Sequence, residues 1–111
     1  MRLGVVGLGR MGLPIARNLV SAGFNVSVHD TVDERMLAAA PARAVSDAVE
    51  LAASVDVLIT VLPGAPEVEK FMTAEVIAAL DGVWLDLTSN DPRVAERIAA
   101  LGVEAVGAPM G

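Results

Sequence analysis

Three glycines, Gly7, Gly9 and Gly12, follow directly on the apolar run Leu3 to Val6 and open a segment in which Met11, Ile15, Leu19 and Ala22 recur with a helical period. A short apolar strand, a G-x-G-x-x-G turn and an amphipathic helix, in that order, make a βα unit. In such a unit each glycine has its own job. Gly7 permits the tight turn, Gly9 leaves the backbone open to a pyrophosphate, and Gly12 lets the helix pack closely on the strand, while the N–H groups at the helix start face the anion. The run Gly7, Leu8, Gly9, Arg10, Met11 and Gly12 is therefore a candidate phosphate-binding loop. A Gly-rich turn without a ligand is the alternative, and the strand before the loop and the helix after it weigh against that.

The rest of the chain repeats the alternation. Asn25 to His29, Val57 to Val61, Val83 to Asp86 and Val103 to Val106 are compact apolar runs which, with Leu3 to Val6, read as five strands buried on both faces. Helical segments are predicted over Arg10 to Ala22, Asp33 to Ala40, Ser46 to Ala53, Glu67 to Met72, Thr73 to Leu80 and Asp91 to Ala100. Ser46 and Asp91 are placed as N-caps, Pro92 at the first position of the last helix, and Gly23 and Gly102 as C-terminal stops. Pro41 ends the alanine-rich stretch before it. The expected architecture is one α/β domain over residues 1–111, a Rossmann-type doubly wound parallel sheet. Its expected strand order is 3-2-1-4-5, truncated before a sixth strand. Ligands of such sheets sit at the carboxyl ends of the strands where the order reverses, here between the first and fourth strands. The loops after Val6, His29, Val61 and Asp86 are the ones to search for chemistry.

Composition narrows the partners. The net charge of −6, three aromatic residues and the lack of a basic run argue against a nucleic-acid footprint. Although 54% of the residues are hydrophobic, no stretch approaches the ~20 apolar residues of a membrane-spanning helix. The absence of cysteine removes disulfides, thiol catalysis and thiolate metal sites. Met1-Arg2-Leu3 leads straight into a Gly-punctuated strand and not into a signal peptide, so a cytoplasmic location is expected.

Asp30 closes the second strand, 18 residues beyond Gly12. A carboxylate there accepts hydrogen bonds from the adenosine-ribose hydroxyls and repels a 2′-phosphate, which favours NAD over NADP. Thr31 and Arg35 supply the counterargument, since either can contact a phosphate if Asp30 turns away. His29, the only histidine, reads as a structural residue at a strand end. Leu62-Pro63 is either an apolar wall over the ribose or simply a strand stop. Asp86 to Pro92 brings small hydroxyl and amide side chains to the switch point, with Asp86 placed to orient that loop.

Val5-Val6-Gly7-Leu8-Gly9-Arg10-Met11-Gly12-Leu13-Pro14-Ile15-Ala16-Arg17-Asn18-Leu19 resembles the N-terminal signature of the β-hydroxyacid dehydrogenases, the group of 3-hydroxyisobutyrate dehydrogenase and tartronate semialdehyde reductase, with Ile15 its one departure. Leu62-Pro63, Asp86 to Pro92 and Gly107-Ala108-Pro109-Met110-Gly111 resemble later family segments in the same order. The resemblance implies that Gly7 to Gly12 and Asp30 hold the cofactor, and that Leu62, Pro63 and Glu67 flank its adenosine half. It puts Ser89 in the place of a family threonine near the nicotinamide. It implies hydride transfer between the nicotinamide and a small 3-hydroxy acid or semialdehyde. Two departures stand out: Gly111 replaces a substrate-facing serine, and the family's catalytic lysine belongs to a second, helical domain that these residues do not contain. Lys70, the single lysine, matches no family catalytic position and reads as part of a solvated face. The expectation is a dinucleotide-binding domain inactive by itself, taking a hydroxy-acid substrate only with a second domain. A homo-oligomer or partner is expected to cover the unpaired edge of the last strand. A non-catalytic dinucleotide-binding module and an imine reductase-like NADP-binding domain are the alternatives.

Overall fold

The computed structural model describes residues 1–88 and the strand at 104–107. The chain runs β1 (Arg2–Val6), α1 (Gly12–Ser21), β2 (Asn25–His29), α2 (Asp33–Ala38), β3 (Arg43–Ala44), α3 (Ala48–Ser54), β4 (Val57–Thr60), α4 (Ala65–Phe71), α5 (Ala74–Ala79), β5 (Val83–Asp86) and β6 (Glu104–Gly107). All neighbouring strands pair in parallel, in the order β3-β2-β1-β4-β5-β6. This is the doubly wound order 3-2-1-4-5 expected from the sequence, carried on by a sixth strand.

Which segments fill that order differs from expectation. Arg43–Ala44 forms the third strand, a two-residue element with both residues exposed. Two residues carry no periodicity to read. Val57–Thr60 therefore becomes the fourth strand and pairs directly with β1, Val6 standing opposite Thr60. Val83–Asp86 becomes the fifth. The sheet is not cut short before a sixth strand, because the segment expected as its fifth is β6. The reversal point remains between β1 and β4, but β4 is the strand that leads into Leu62-Pro63.

Alternation along the strands feeds two cores. Val5, Val28 and Ile59 face Ala16 of α1 and Met36 of α2. Val6, Leu58 and Trp84 face Leu51 of α3, Val68 of α4 and Val76 of α5. Helices thus cover both faces of the sheet and bury its inward-facing apolar residues. Among the described residues no helix is long and apolar enough to span one.

Helix ends follow local chemistry. After α1, Gly23 adopts φ 92°, its N–H donates to the Val20 carbonyl, and the Phe24 N–H reaches back to Leu19. That pairing is a Schellman stop. The cap of α3 is Asp47 and not Ser46: its Oδ1 accepts from the N–H groups of Val49 at 2.9 Å and Glu50 at 3.2 Å. Thr73 caps α5 through the N–H of Val76. The helix expected over 91–100, with Asp91, Pro92 and Gly102, lies outside the described residues.

Candidate functional site

The carboxyl ends of β1, β2, β4 and β5 open into a cleft of about 860 Å³. Its floor is the Gly7–Gly12 turn. Gly7 sits at φ 93°, where an L side chain is strained, and a Cβ there would also strike the Val61 carbonyl. A Cβ on Gly12 would collide with the carbonyl of Gly7, so α1 can begin this close to β1 only with glycine. Gly9 is different, because nothing stands within 4 Å of where its Cβ would be. Space is thus held open at the glycine expected from the sequence to admit a ligand. Among the described residues, the N–H groups of Gly9, Arg10 and Met11 donate to no backbone carbonyl. They line the cleft at the start of a ten-residue helix, where backbone donors and the helix dipole favour an anion.

Asp30 stands across the turn at the end of β2, its side chain 6% exposed. One oxygen accepts from the Leu8 N–H at 2.8 Å, the other from the Val32 N–H at 2.9 Å. Each carboxylate oxygen retains a further lone pair for a ligand hydroxyl. Arg35 brings a half-exposed guanidinium to 3.7 Å from Asp30. Thr31 is exposed beside them and lines the same cleft.

Val61, Leu62 and Pro63 form an apolar wall where β4 ends, and Leu87 and Thr88 continue it from β5. This wall is fastened from below. The Leu62 N–H donates to Thr88 Oγ1 at 2.8 Å, and the Thr88 N–H donates to Asp86 Oδ1 at 2.9 Å. Asp86 thus fastens Thr88, the second residue of the segment that follows it. At the far end, Glu67, in the first turn of α4, and Lys70, in its last, lie exposed on the rim with Phe71 between helix and cleft. Lys70 is solvated as expected, yet on the cleft side of its helix.

Most of the sequence-predicted residues therefore converge. Gly7, Gly9, Arg10, Met11, Gly12, Asp30, Thr31, Leu62, Pro63 and Glu67 all line the cleft. Leu8 does not: its side chain is buried in the core, and its backbone N–H is the part that matters here. Ser89 lies outside the described residues. His29 is held by a hydrogen bond from Nδ1 to the Val45 carbonyl at 2.8 Å and by a tilted ring contact with Phe71. Because a carbonyl only accepts, Nδ1 carries the proton, and the ring is a fixed wall element. Sequence reasoning assigned no role to Phe71 and left Thr88 as one hydroxyl among several. Only the register between β4 and β5, with Thr60 opposite Asp86, singles Thr88 out.

The family model for the NAD binding domain of 6-phosphogluconate dehydrogenase matches residues 2–111. The curated 2-(hydroxymethyl)glutarate dehydrogenase of Eubacterium barkeri is 32% identical over 99% of this chain and 40% of its own length. The solved 3-hydroxyisobutyrate dehydrogenase of Mycobacterium tuberculosis, a complex with L-serine, superposes with a TM-score of 0.89 at 28% identity, covering 97% of this chain and 40% of that one. An imine reductase variant from Myxococcus stipitatus, solved with NAD+, reaches the same TM-score at 20% identity over 99% of this chain and 41% of its own, a likeness of fold alone. The chain thus spans about 40% of the length of the enzymes it resembles.

Proposed function

The chain belongs to the family of NAD-binding domains of the 6-phosphogluconate dehydrogenase type, and from that membership and the shape of the cleft we propose that it binds NAD in preference to NADP as the cofactor half of a hydroxyacid dehydrogenase. The observation that carries this reading is the pairing of the open Gly9 edge and its unpartnered amides with a buried carboxylate across the same turn. Residues Gly9, Arg10 and Met11 hold the pyrophosphate through N–H groups. Asp30 takes the adenosine-ribose hydroxyls, while Leu62, Pro63 and Glu67 flank that half and Ser89 serves the nicotinamide end. When bound, the dinucleotide supplies hydride acceptance or donation at its nicotinamide.

What these residues contribute is orientation and exclusion of water. The stiff Leu62-Pro63 wall and the strand ends Val6 and Val61 give the dinucleotide an apolar seat, and the amides offer charge complementarity on one side only. Removing the proton of a substrate hydroxyl needs a general base. Lys70, on the rim at the end of α4, has no geometry that marks it as one. The substrate class, a small 3-hydroxy acid or its semialdehyde, follows from the resemblance, and its proton transfer is assigned to a second domain. These residues alone should then bind dinucleotide and leave hydroxy acids unoxidised.

An NADP-preferring reading rests on Arg35, whose half-exposed guanidinium can swing from Asp30 to a 2′-phosphate. Calorimetric titration with both cofactors decides. Asp30→Asn, which keeps an acceptor for the Leu8 N–H and so the fastening of the turn, should weaken NAD roughly tenfold through the loss of the charged acceptor, and NADP much less. Equal losses for both cofactors, or tighter NADP binding by the unsubstituted chain, would overturn the ribose assignment.

A further inference from the structure

The chain's only tryptophan is joined to the cleft wall by a continuous set of side-chain hydrogen bonds. Trp84, Thr60 and Asp86 share one face of the sheet, because Leu58 stands opposite Trp84 and Thr60 opposite Asp86. The fully buried indole donates from Nε1 to Thr60 Oγ1 at 2.9 Å. An indole N–H has no other option, so the threonine hydroxyl must direct its own proton onward, and it does so to Asp86 Oδ1 at 2.9 Å. The same carboxylate oxygen takes the Thr88 N–H. Thr88 Oγ1 in turn accepts the Leu62 N–H and lies 3.4 Å from the Thr60 carbonyl as donor. Every member has its donor or acceptor role fixed, and a buried set satisfied in this way is rigid.

We infer that Thr60 and Thr88 are positioning residues for the dinucleotide. They lock the ends of β4 and β5 together and hold the Leu62 amide, and so the Leu62-Pro63 wall, at the height the cofactor needs. The inference rests on the dinucleotide reading of the cleft. It also makes Trp84 a built-in reporter of ligand binding: a ligand pressing on Leu62 is felt at the indole through the four hydrogen bonds that link them by way of Thr88, Asp86 and Thr60.

Calorimetry with NAD on the whole chain and on Thr88→Val, Thr88→Ser and Thr60→Val tests the first half. The single indole ¹H–¹⁵N resonance, followed to NAD saturation, tests the second. Thr88→Val leaves the Leu62 N–H without its acceptor and should weaken NAD about tenfold, with Thr88→Ser close to the unsubstituted chain. The indole resonance should move on NAD saturation in the unsubstituted chain and in Thr88→Ser, and stay still in Thr88→Val. Mere loss of stability would not erase a shift measured at saturation. If Thr60→Val does not fold, Thr88→Val decides, since it removes only the two bonds of the Thr88 hydroxyl, from the Leu62 N–H and to the Thr60 carbonyl, and leaves the Trp84 pair intact. A folded Thr88→Val that binds NAD normally, or an indole resonance unmoved in the NAD-saturated chain, overturns the inference and leaves the proposed function standing. Failure of the unsubstituted chain to bind NAD overturns both.

Discussion

The two sides of the cleft are built by different means. On one side the Gly7–Gly12 turn is shaped almost entirely by backbone: a positive φ at Gly7, the Gly7 N–H on the His29 carbonyl at 3.0 Å, and a collision-free approach at Gly12. One side chain, Asp30, fastens it. On the other side the ends of β4 and β5 are joined by side chains, Trp84, Thr60, Asp86 and Thr88. The first region leaves donors unpaired toward the cleft. The second pairs its side chains with one another, and among the described residues no buried side-chain nitrogen or oxygen is without a partner. A binding surface needs the first kind of construction, and a wall against which a ligand is pressed needs the second.

Two substitutions should separate these roles, and the larger falls on the wall. Trp84→Ala removes the largest fully buried side chain and strips Thr60 of its donor. It should cost about 3–5 kcal/mol of stability, read as a lower urea midpoint with the slope unchanged. A loss below ~1 kcal/mol would mean that the network adds nothing to packing. Gly9→Val should do the reverse. Its side chain enters open space at a backbone angle any residue adopts, so stability should change by no more than ~0.5 kcal/mol while NAD binding is abolished. Unchanged NAD affinity in Gly9→Val would remove the turn from the binding site.

The same contrast explains what could be read from residue order. The βα turn was legible because its information is local: glycine spacing, an apolar period and a Schellman stop all act within a few residues of one another. Asp30 was legible as an acid at a strand end. Its bond to the Leu8 amide was not, since that contact depends on where β2 lies beside β1. Strand assignment slipped at Arg43–Ala44, because pairing of two exposed residues with Ser27 and Val28 leaves no mark in hydrophobicity. That slip moved β4 one place away from β1 and hid the fact that Thr60 and Asp86 face each other. Asp47 and Ser46 are both good caps, and only the turn geometry of α3 chooses between them. Long-range register, then, is the information that sequence order withheld, and the wall of the cleft consists of little else.

A charge at the opposite end of the sheet gives the smallest test. Arg2 opens β1 and Asp56 precedes β4, both at the amino ends of their strands and away from the cleft. The Arg2 N–H donates to Asp56 Oδ2 at 2.7 Å, and the guanidinium approaches Oδ1 at 3.2 Å. These bonds, the backbone one foremost, hold the Asp56 carboxyl below its ordinary value against a small opposing effect of burial. A carboxyl whose folded value is lowered stabilises the fold at neutral pH, and that contribution is lost as pH falls through the carboxylate range. Asp56→Asn should therefore lower the thermal midpoint slightly at pH 7, by an amount that shrinks in acid, because exposed ion pairs contribute little and are screened by salt. NAD affinity should not change, because Arg2 and Asp56 lie at the opposite ends of their strands from the cleft and line none of it. A gap that widens toward low pH would contradict the assigned cause, and an altered NAD affinity would show that the amino end of the sheet communicates with the cleft.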